Sequence, residues 1–196
     1  MRNAIVLTLM LLSVAVAGCT RAEPIGCNNI VEPVFSSFPV TVTDPSPVRD
    51  WIVANYAVSG ELLRESTTRD GLDFYWSLNN KQYRVSVSPM GSFLASDWQG
   101  TKPTLKEVIA CNGLPASYDA HQLPPIDVSE LTIFAIWYPQ KNMLIRTAQS
   151  SGGFVINEGT VFESVMLFGP AEFAIGQEKY KPWPAKLSDV QIVPWR

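Results

Sequence analysis

Residues 72–88, LDFYWSLNNKQYRVSVS, carry the pattern that decides the fold of this chain. In the second half, Tyr83, Val85 and Val87 alternate with polar side chains, as expected of a strand with one buried face. The first half, Leu72–Leu78, is apolar and aromatic, and Asn79–Lys81 forms a polar turn between the two halves. The stretch therefore predicts a β-hairpin with one face against a core.

A short helix is predicted upstream of this hairpin. Ser46 fits the N-cap position and Pro47 fits the first turn, where a missing N–H costs nothing. Val48, Trp51 and Ile52 then fall on one side at helical spacing. We expect a helix at about Pro47–Ala57.

The same order of elements returns further along the chain. Thr104 and Glu107 have the spacing of a capping box, which predicts a helix at Thr104–Asn112 that ends before Gly113 and Pro115. A second hairpin follows, made of two apolar segments and a turn: Leu131–Tyr138, Pro139–Lys141 and Met143–Thr147.

The two halves can be overlaid as repeats. A shift of 57 places Val48–Ile52 on Leu105–Ile109, and shifts of 60 or 61 place Trp76 on Trp137, Lys81 on Lys141 and Val85 on Ile145. Identities are few, so chance similarity is the alternative. The predicted fold is α+β: an antiparallel sheet with two short helices on one face, built from two helix–hairpin repeats. Repeat 1 covers about 44–100 and repeat 2 about 101–150, and further strands follow in 151–196 of this single domain, 44–196.

The first residues predict export. Arg2 precedes an uncharged, mostly apolar run, Ala4–Ala17, which is shorter than a membrane-spanning helix requires. The run ends in Val16, Ala17, Gly18 and Cys19, which resembles the lipobox of bacterial lipoproteins. An ordinary signal peptide with a chance cysteine is the alternative.

The lipobox resemblance implies a diacylglycerol on Cys19 and loss of the signal peptide, residues 1–18. We then expect 19–43 to serve as lipid anchor and tether, because Pro24, Pro33 and Pro39 break helices. The predicted location is the outer face of a bacterial membrane. Thr20, where the family uses Asp for retention, makes the outer membrane possible in a host that has one.

Two cysteines remain after acylation of Cys19. Cys27 and Cys111 would be exported to a compartment in which thiols pair. Such a bridge would close a loop of about 85 residues and stabilise the fold by roughly 4 kcal/mol. Two unpaired thiols are the alternative.

A family resemblance concerns the mature domain. A helix ending in Gly113, Leu114 and Pro115, followed by a hairpin with Trp137 and Tyr138, resembles small envelope lipoproteins of the SmpA/OmlA type. Two such units in tandem, over about 44–150, resemble the doubled architecture of β-lactamase inhibitory proteins. The resemblance implies a protein-binding surface and no catalysis.

The sequence offers little for catalysis or for metal binding. His121 is the only histidine, and the prolines after it predict an exposed loop. Asp70 and Asp73 lack calcium-loop spacing, so we predict neither a metal site nor a cofactor. The formal net charge is −3 and no basic face is apparent, which argues against a nucleic-acid partner.

Aromatic residues are the remaining candidates for a binding site. Trp98, Trp137, Tyr138 and Trp183 are possible binding residues, with Trp98 and Trp183 expected to be the most exposed; core packing is the alternative. The sequence therefore favours a membrane-anchored, non-catalytic, protein-binding lipoprotein with an assembly, scaffold or inhibitor role. The alternatives are an aromatic-lined ligand- or glycan-binding module and an extracytoplasmic hydrolase.

Replacing the acylated thiol tests the predicted anchor. Cys19→Ser should leave the precursor unprocessed or release the protein from the membrane, because no thiol remains to accept lipid. Fractionation with labelled fatty acid measures this. A Cys19→Ser protein that is processed and stays in the membrane fraction like wild type would contradict the lipobox interpretation.

Overall fold

A single sheet dominates the computed structural model, which describes residues 25–123, 131–150, 154–169 and 179–194. Within these ranges the sheet has ten strands, in the order β1-β2-β3-β4-β8-β7-β6-β5-β10, and β9 pairs with β5. The strands are β1 Arg64–Thr68, β2 Gly71–Leu78, β3 Lys81–Ser88, β4 Gly91–Trp98, β5 Ser117–Gln122, β6 Leu131–Tyr138, β7 Met143–Ser150, β8 Ser164–Leu167, β9 Lys181–Pro182 and β10 Val193–Pro194.

The described residues form three α-helices: α1 Cys27–Ile30, α2 Pro45–Tyr56 and α3 Leu105–Asn112. Both predicted helices are confirmed, whereas the short α1 was not predicted. Short 3₁₀ turns lie in the described ranges at Pro33–Ser37, Gly60–Leu62, Pro139–Lys141 and Leu187–Asp189.

The helix starts show how local chemistry sets each boundary. At α3 the capping box is confirmed, since the Thr104 hydroxyl and the Glu107 carboxylate each accept a hydrogen bond from the other's backbone N–H. At α2 the predicted N-cap, Ser46, is wrong. Asp44 is the N-cap, its carboxylate accepts the Ser46 N–H at 2.9 Å, and Pro45 occupies the first helical position.

The predicted hairpin is confirmed as β2 and β3. Leu78 pairs with Lys81 across a two-residue turn, and both turn residues, Asn79 and Asn80, have positive φ, 50° and 58°. Asparagine tolerates this left-handed conformation, and the resulting turn matches the twist of the two strands.

The sheet topology follows from two runs of consecutive strands. After α2 the chain forms β1–β4, after α3 it forms β5–β8, and β4 and β8 pair antiparallel in the middle. Among the described strands, all pairings are antiparallel except that of β10 with β5. The predicted α+β class with a mostly antiparallel sheet is thus confirmed.

The sheet has two chemically different faces. The inner face carries Phe74, Val85, Phe134 and Ile145, all fully buried, and the buried apolar residues of all three helices belong to the same cluster. The outer face carries the residues that alternate with these, among them Asp73, Tyr75, Arg84, Phe93 and Trp137. Because adjacent residues of a strand point to opposite faces, only even shifts preserve the inner face.

This alternation contradicts one of the overlays. Trp76 belongs to the inner cluster, whereas Trp137 belongs to a separate cluster with Ala135 and Leu144 on the outer face. The odd shift of 61 therefore fails. The even shift of 60, which pairs Val85 with Ile145, places both residues on the inner face.

The segment from Ile25 to residue 43, assigned above to the tether, packs on the domain. Ile30, Phe35 and Phe38 are buried in the inner cluster. The Val40 carbonyl also lies so close to two glycines that a Cβ at Gly91 or Gly169 would stand 2.8 or 2.7 Å from its oxygen. Only glycine allows this approach of the backbone.

A disulfide between Cys27 and Cys111, with Cα atoms 5.3 Å apart, joins α1 to α3 and confirms the predicted pairing. Beside it, the Ile25 N–H donates to Glu107 Oε1 at 3.2 Å. Covalent and polar contacts together hold the start of the described chain against α3.

Removal of this bridge should loosen the whole domain. The double variant Cys27→Ser/Cys111→Ser should lose about 4 kcal/mol of unfolding free energy, because the unfolded chain regains the freedom of the closed loop. Denaturant titration without reductant measures this. Wild type with reductant is the control and should match the variant, and a loss below about 1 kcal/mol would contradict the assignment.

Candidate functional site

The outer face of β2–β4 presents an arginine between two aromatic rings. Tyr75 pairs directly with Arg84, and Phe93 stands one strand further along. The guanidinium carbon of Arg84 lies 5.8 Å from the Tyr75 ring centroid and 5.9 Å from that of Phe93. Both distances fall in the range of a cation–π interaction. We call Tyr75, Arg84 and Phe93 the arginine triplet.

Asp73, two residues before Tyr75 on the same face of β2, fixes the geometry of the triplet. One carboxylate oxygen, Oδ2, accepts from the Arg84 guanidinium at 2.9 Å and from the Tyr75 hydroxyl at 2.8 Å. Asp73 is 2% exposed, whereas about half of the Arg84 side chain, 49%, remains exposed. The hydrogen bond to Asp73 raises the pKa of Tyr75 above its ordinary value. The arginine is thus both oriented and accessible.

Aromatic contacts extend the triplet across the sheet. Phe93 stacks on Phe168 at 5.4 Å, Phe168 contacts Trp137 at 5.7 Å, and Trp137 meets Tyr180 edge-on at 4.7 Å. Burial raises the pKa of Tyr180 to about 12, so this hydroxyl stays neutral even in moderately alkaline solution. The outer face therefore carries a row of aromatic rings, and the triplet is its more exposed end.

A second polar cluster lies on the inner side, around Glu32. Its Oε1 accepts from Lys81 Nζ at 2.7 Å and from the Tyr83 hydroxyl at 2.6 Å, and its Oε2 accepts from the Tyr56 hydroxyl at 3.0 Å. Lys81 also lies 5.7 Å from the Trp98 ring centroid. We call these residues the Glu32 cluster. It attaches the N-terminal segment to β3.

The tyrosines of this cluster are held neutral. Burial, followed by the nearby Glu32 carboxylate, raises the pKa of Tyr56. Burial and the hydrogen bond to Glu32 likewise raise the pKa of Tyr83. Deprotonation would place a second negative charge beside Glu32 in a poorly solvated position.

The structure does not bring the four predicted aromatic residues together. Trp98 is 5% exposed rather than prominent, and its indole N–H donates to the Asn29 carbonyl. Tyr138 is buried and donates to the Gly113 carbonyl, and burial raises its pKa. Trp183 is half-buried against Tyr118, and Trp137 lies on the outer face. Trp98 therefore does not have its expected exposure.

Sequence reasoning missed the arginine triplet. The alternation of β3 already placed Arg84 on the polar side of the strand, and Tyr75 stands next to the inner residues Phe74 and Trp76. A search for aromatic residues at the outward positions of the predicted strands would have found Tyr75.

His121 does not lie in a loop, as the prolines after it suggested. It is a buried residue of β5, and its Nδ1 lies 2.7 Å from Asp119 Oδ2. In the described ranges no three His, Cys, Asp or Glu residues stand together as metal ligands. No helix of the described residues has the length and apolarity to cross a membrane.

Comparison with known proteins gives no assignment: no protein-family model, curated protein or solved structure matches the chain. Function must therefore be argued from the geometry of the chain itself.

The raised tyrosine pKa values predict alkaline sensitivity. The folded protein holds the tyrosine proton more tightly than the unfolded chain, whose tyrosine pKa is about 10, and this difference contributes to the free energy of unfolding. The contribution is complete below about pH 10 and is lost as pH rises toward the folded pKa. Above pH 10, each tyrosine should steepen the loss of unfolding free energy by up to about 1.4 kcal/mol per pH unit. Denaturant titrations at several pH values measure this.

The matched variant is Tyr56→Phe/Tyr83→Phe, which keeps the rings and removes both hydroxyls. Its stability should fall less steeply above pH 10 than that of wild type. Equal slopes for the variant and wild type would show that the pKa values of these two tyrosines are not raised in the folded protein.

Proposed function

We propose that this chain is a lipid-anchored extracytoplasmic protein that binds a partner protein through the outer face of β2–β4, in an assembly, scaffold or inhibitor role. The observation that carries the proposal is the arginine triplet, oriented by the buried Asp73 and partly exposed on the face away from the helices.

The chemistry of the triplet suits a protein interface. Arginine and tyrosine are enriched among the residues that dominate binding energy at such interfaces. Asp73 orients the guanidinium before any partner arrives, so less side-chain freedom is lost on binding. Arginine has five N–H donors, and the structure bonds one Arg84 nitrogen to Asp73. The expected partner presents carbonyl or carboxylate oxygens above Arg84 and apolar groups above Phe93.

The proposed location has independent support. Disulfides persist in oxidising compartments, and the Cys27–Cys111 bridge is consistent with export. Ile25, the first described residue, lies six positions after Cys19, and six extended residues span about 20 Å. An acylated Cys19 would therefore keep the domain next to the bilayer.

We also propose that the domain is an internal repeat, each unit a helix followed by four strands. The order of elements supports this, since α2 precedes β1–β4 and α3 precedes β5–β8. The even shift of 60 supports it as well, because it pairs buried inner residues, Phe74 with Phe134 and Val85 with Ile145. A doubled unit of this kind is what the resemblance stated from the sequence implies.

Site-specific photo-crosslinking in the native envelope tests the proposed function. A photoreactive residue at Gln82, an exposed outer-face position two residues from Arg84, should give one discrete protein adduct. Adding Arg84→Lys should reduce this adduct about tenfold, because lysine keeps a charge opposite Asp73 but loses the planar donor fork.

Two controls make the result specific. Arg69→Lys alters an exposed arginine of the β1–β2 turn and should leave the adduct unchanged. A photoreactive residue at Val53, exposed on α2, should not give the same adduct. Absence of an adduct at Gln82, or an adduct insensitive to Arg84→Lys, would contradict binding through the triplet.

A further inference from the structure

A cleft of about 640 Å³ opens beside the Glu32 cluster, on the opposite side of the sheet from the arginine triplet. It lies between the N-terminal segment, the last turn of α2 and the β2–β3 turn. The residues that line it include the buried Tyr56 and Lys81, the partly buried Glu32, and the exposed Asn29, Asn55 and Asn80. Its volume falls within the range of small-molecule sites, about 300–1,000 Å³.

Lys81 brings unused hydrogen-bond donors to this cleft. Its ammonium group has three N–H donors, and the only hydrogen-bond acceptor it meets among the described residues is Glu32. The residue is 6% exposed overall, and the cleft that it lines is where its remaining donors can meet water or a ligand oxygen. A ligand that displaces water from the cleft must offer oxygen acceptors to these donors, because leaving them unsatisfied would be costly.

The charge balance of the cleft favours a neutral ligand. Glu32 already neutralises Lys81 at 2.7 Å. The Glu32 carboxylate would therefore repel an anion placed near Lys81, and the Lys81 ammonium would repel a cation. A hydroxyl or carbonyl oxygen satisfies the free donors without adding charge to a poorly solvated site.

Asparagine amides at the rim match hydroxyl groups. Each amide has donors and an acceptor, as each sugar hydroxyl has. The side chains of Asn29 and Asn80 make no hydrogen bond to described residues, and Asn55 uses only its NH₂ group, on the Trp51 carbonyl. The asparagine amides at the rim can therefore both donate and accept hydrogen bonds, while Lys81 at the base of the cleft can only donate them.

We propose that this cleft binds a neutral saccharide. An extended peptide fits less well, because β3, the strand that carries Lys81, is paired on both sides by β2 and β4 and offers no backbone edge. The saccharide's hydroxyl oxygens accept from Lys81 at the floor, while its outer hydroxyls contact Asn29 and Asn55. This site is independent of the protein-binding surface, and either one can exist without the other.

Calorimetry on the detergent-solubilised full chain tests the proposal, with the neutral tetrasaccharides tetra-N-acetylchitotetraose, cellotetraose and maltotetraose as probes. At least one should bind with a Kd on the order of 1 mM or below. Asn29→Ala/Asn55→Ala should weaken that binding about tenfold, since two hydrogen bonds are lost. Both residues are exposed, so the melting temperature should stay near that of wild type.

Asn28→Ala is the matched control, because Asn28 neighbours Asn29 but does not line this cleft; its Kd should stay within about twofold of wild type. Lysine-selective ¹⁵N labelling gives a second readout, in which the binding saccharide should shift the Lys81 ammonium resonance. Failure of all three saccharides, binding unaffected by Asn29→Ala/Asn55→Ala, or binding of a neutral tetrapeptide in their place would each overturn the proposal.

Discussion

A broad sheet has two faces, and the described helices of this chain cover only one of them. The buried apolar residues of α1, α2 and α3 join the inner cluster, and the strands turn a matching set of apolar side chains toward them. The period of two then forces the intervening residues outward. The arginine triplet occupies such outward positions on β2, β3 and β4, and its exposure is a direct consequence of the one-sided cover.

The N-terminal segment contributes a large part of that cover, although its residues are distant in sequence from the strands they meet. Ile30, Phe35 and Phe38 complete the inner cluster, and Glu32 binds Lys81. A buried ion pair adds little net stability over apolar packing, but loss of one partner leaves an unpaired buried charge that costs about 3–5 kcal/mol. The Glu32 cluster therefore specifies where the segment docks, and the disulfide between α1 and α3 holds it there.

Local patterns in the sequence predicted the elements well. The hairpin at 72–88 follows from alternation and the Asn79–Asn80 turn, and the capping box fixes the start of α3. The pairing of Cys27 with Cys111 also followed from the few cysteines present. Each of these inferences depends on residues whose chemistry admits few alternatives.

The features that the sequence did not predict depend on contacts between residues that are far apart in the chain or on the face to which a strand residue points. Glu32 and Lys81 are 49 residues apart, and nothing near Glu32 in the sequence shows that it will pair with a buried lysine. The Trp76–Trp137 overlay failed because a shift by an odd number inverts the faces of a strand. Trp98 was expected at the surface because of its polar neighbours Asp97 and Gln99. Those neighbours alternate outward while the indole points inward, against Asn29 of a segment 69 residues away.

Hydroxyl-radical footprinting most directly tests the central claim that the outer face of β2–β4 is a protein-binding surface. Oxidation rates of Tyr75 and Phe93 would be compared between the purified chain and native membranes, with the α2 residue Val53 as internal reference. The account predicts protection of Tyr75 and Phe93 in native membranes, with Val53 unchanged. Equal oxidation of Tyr75 and Phe93 in both preparations would contradict it.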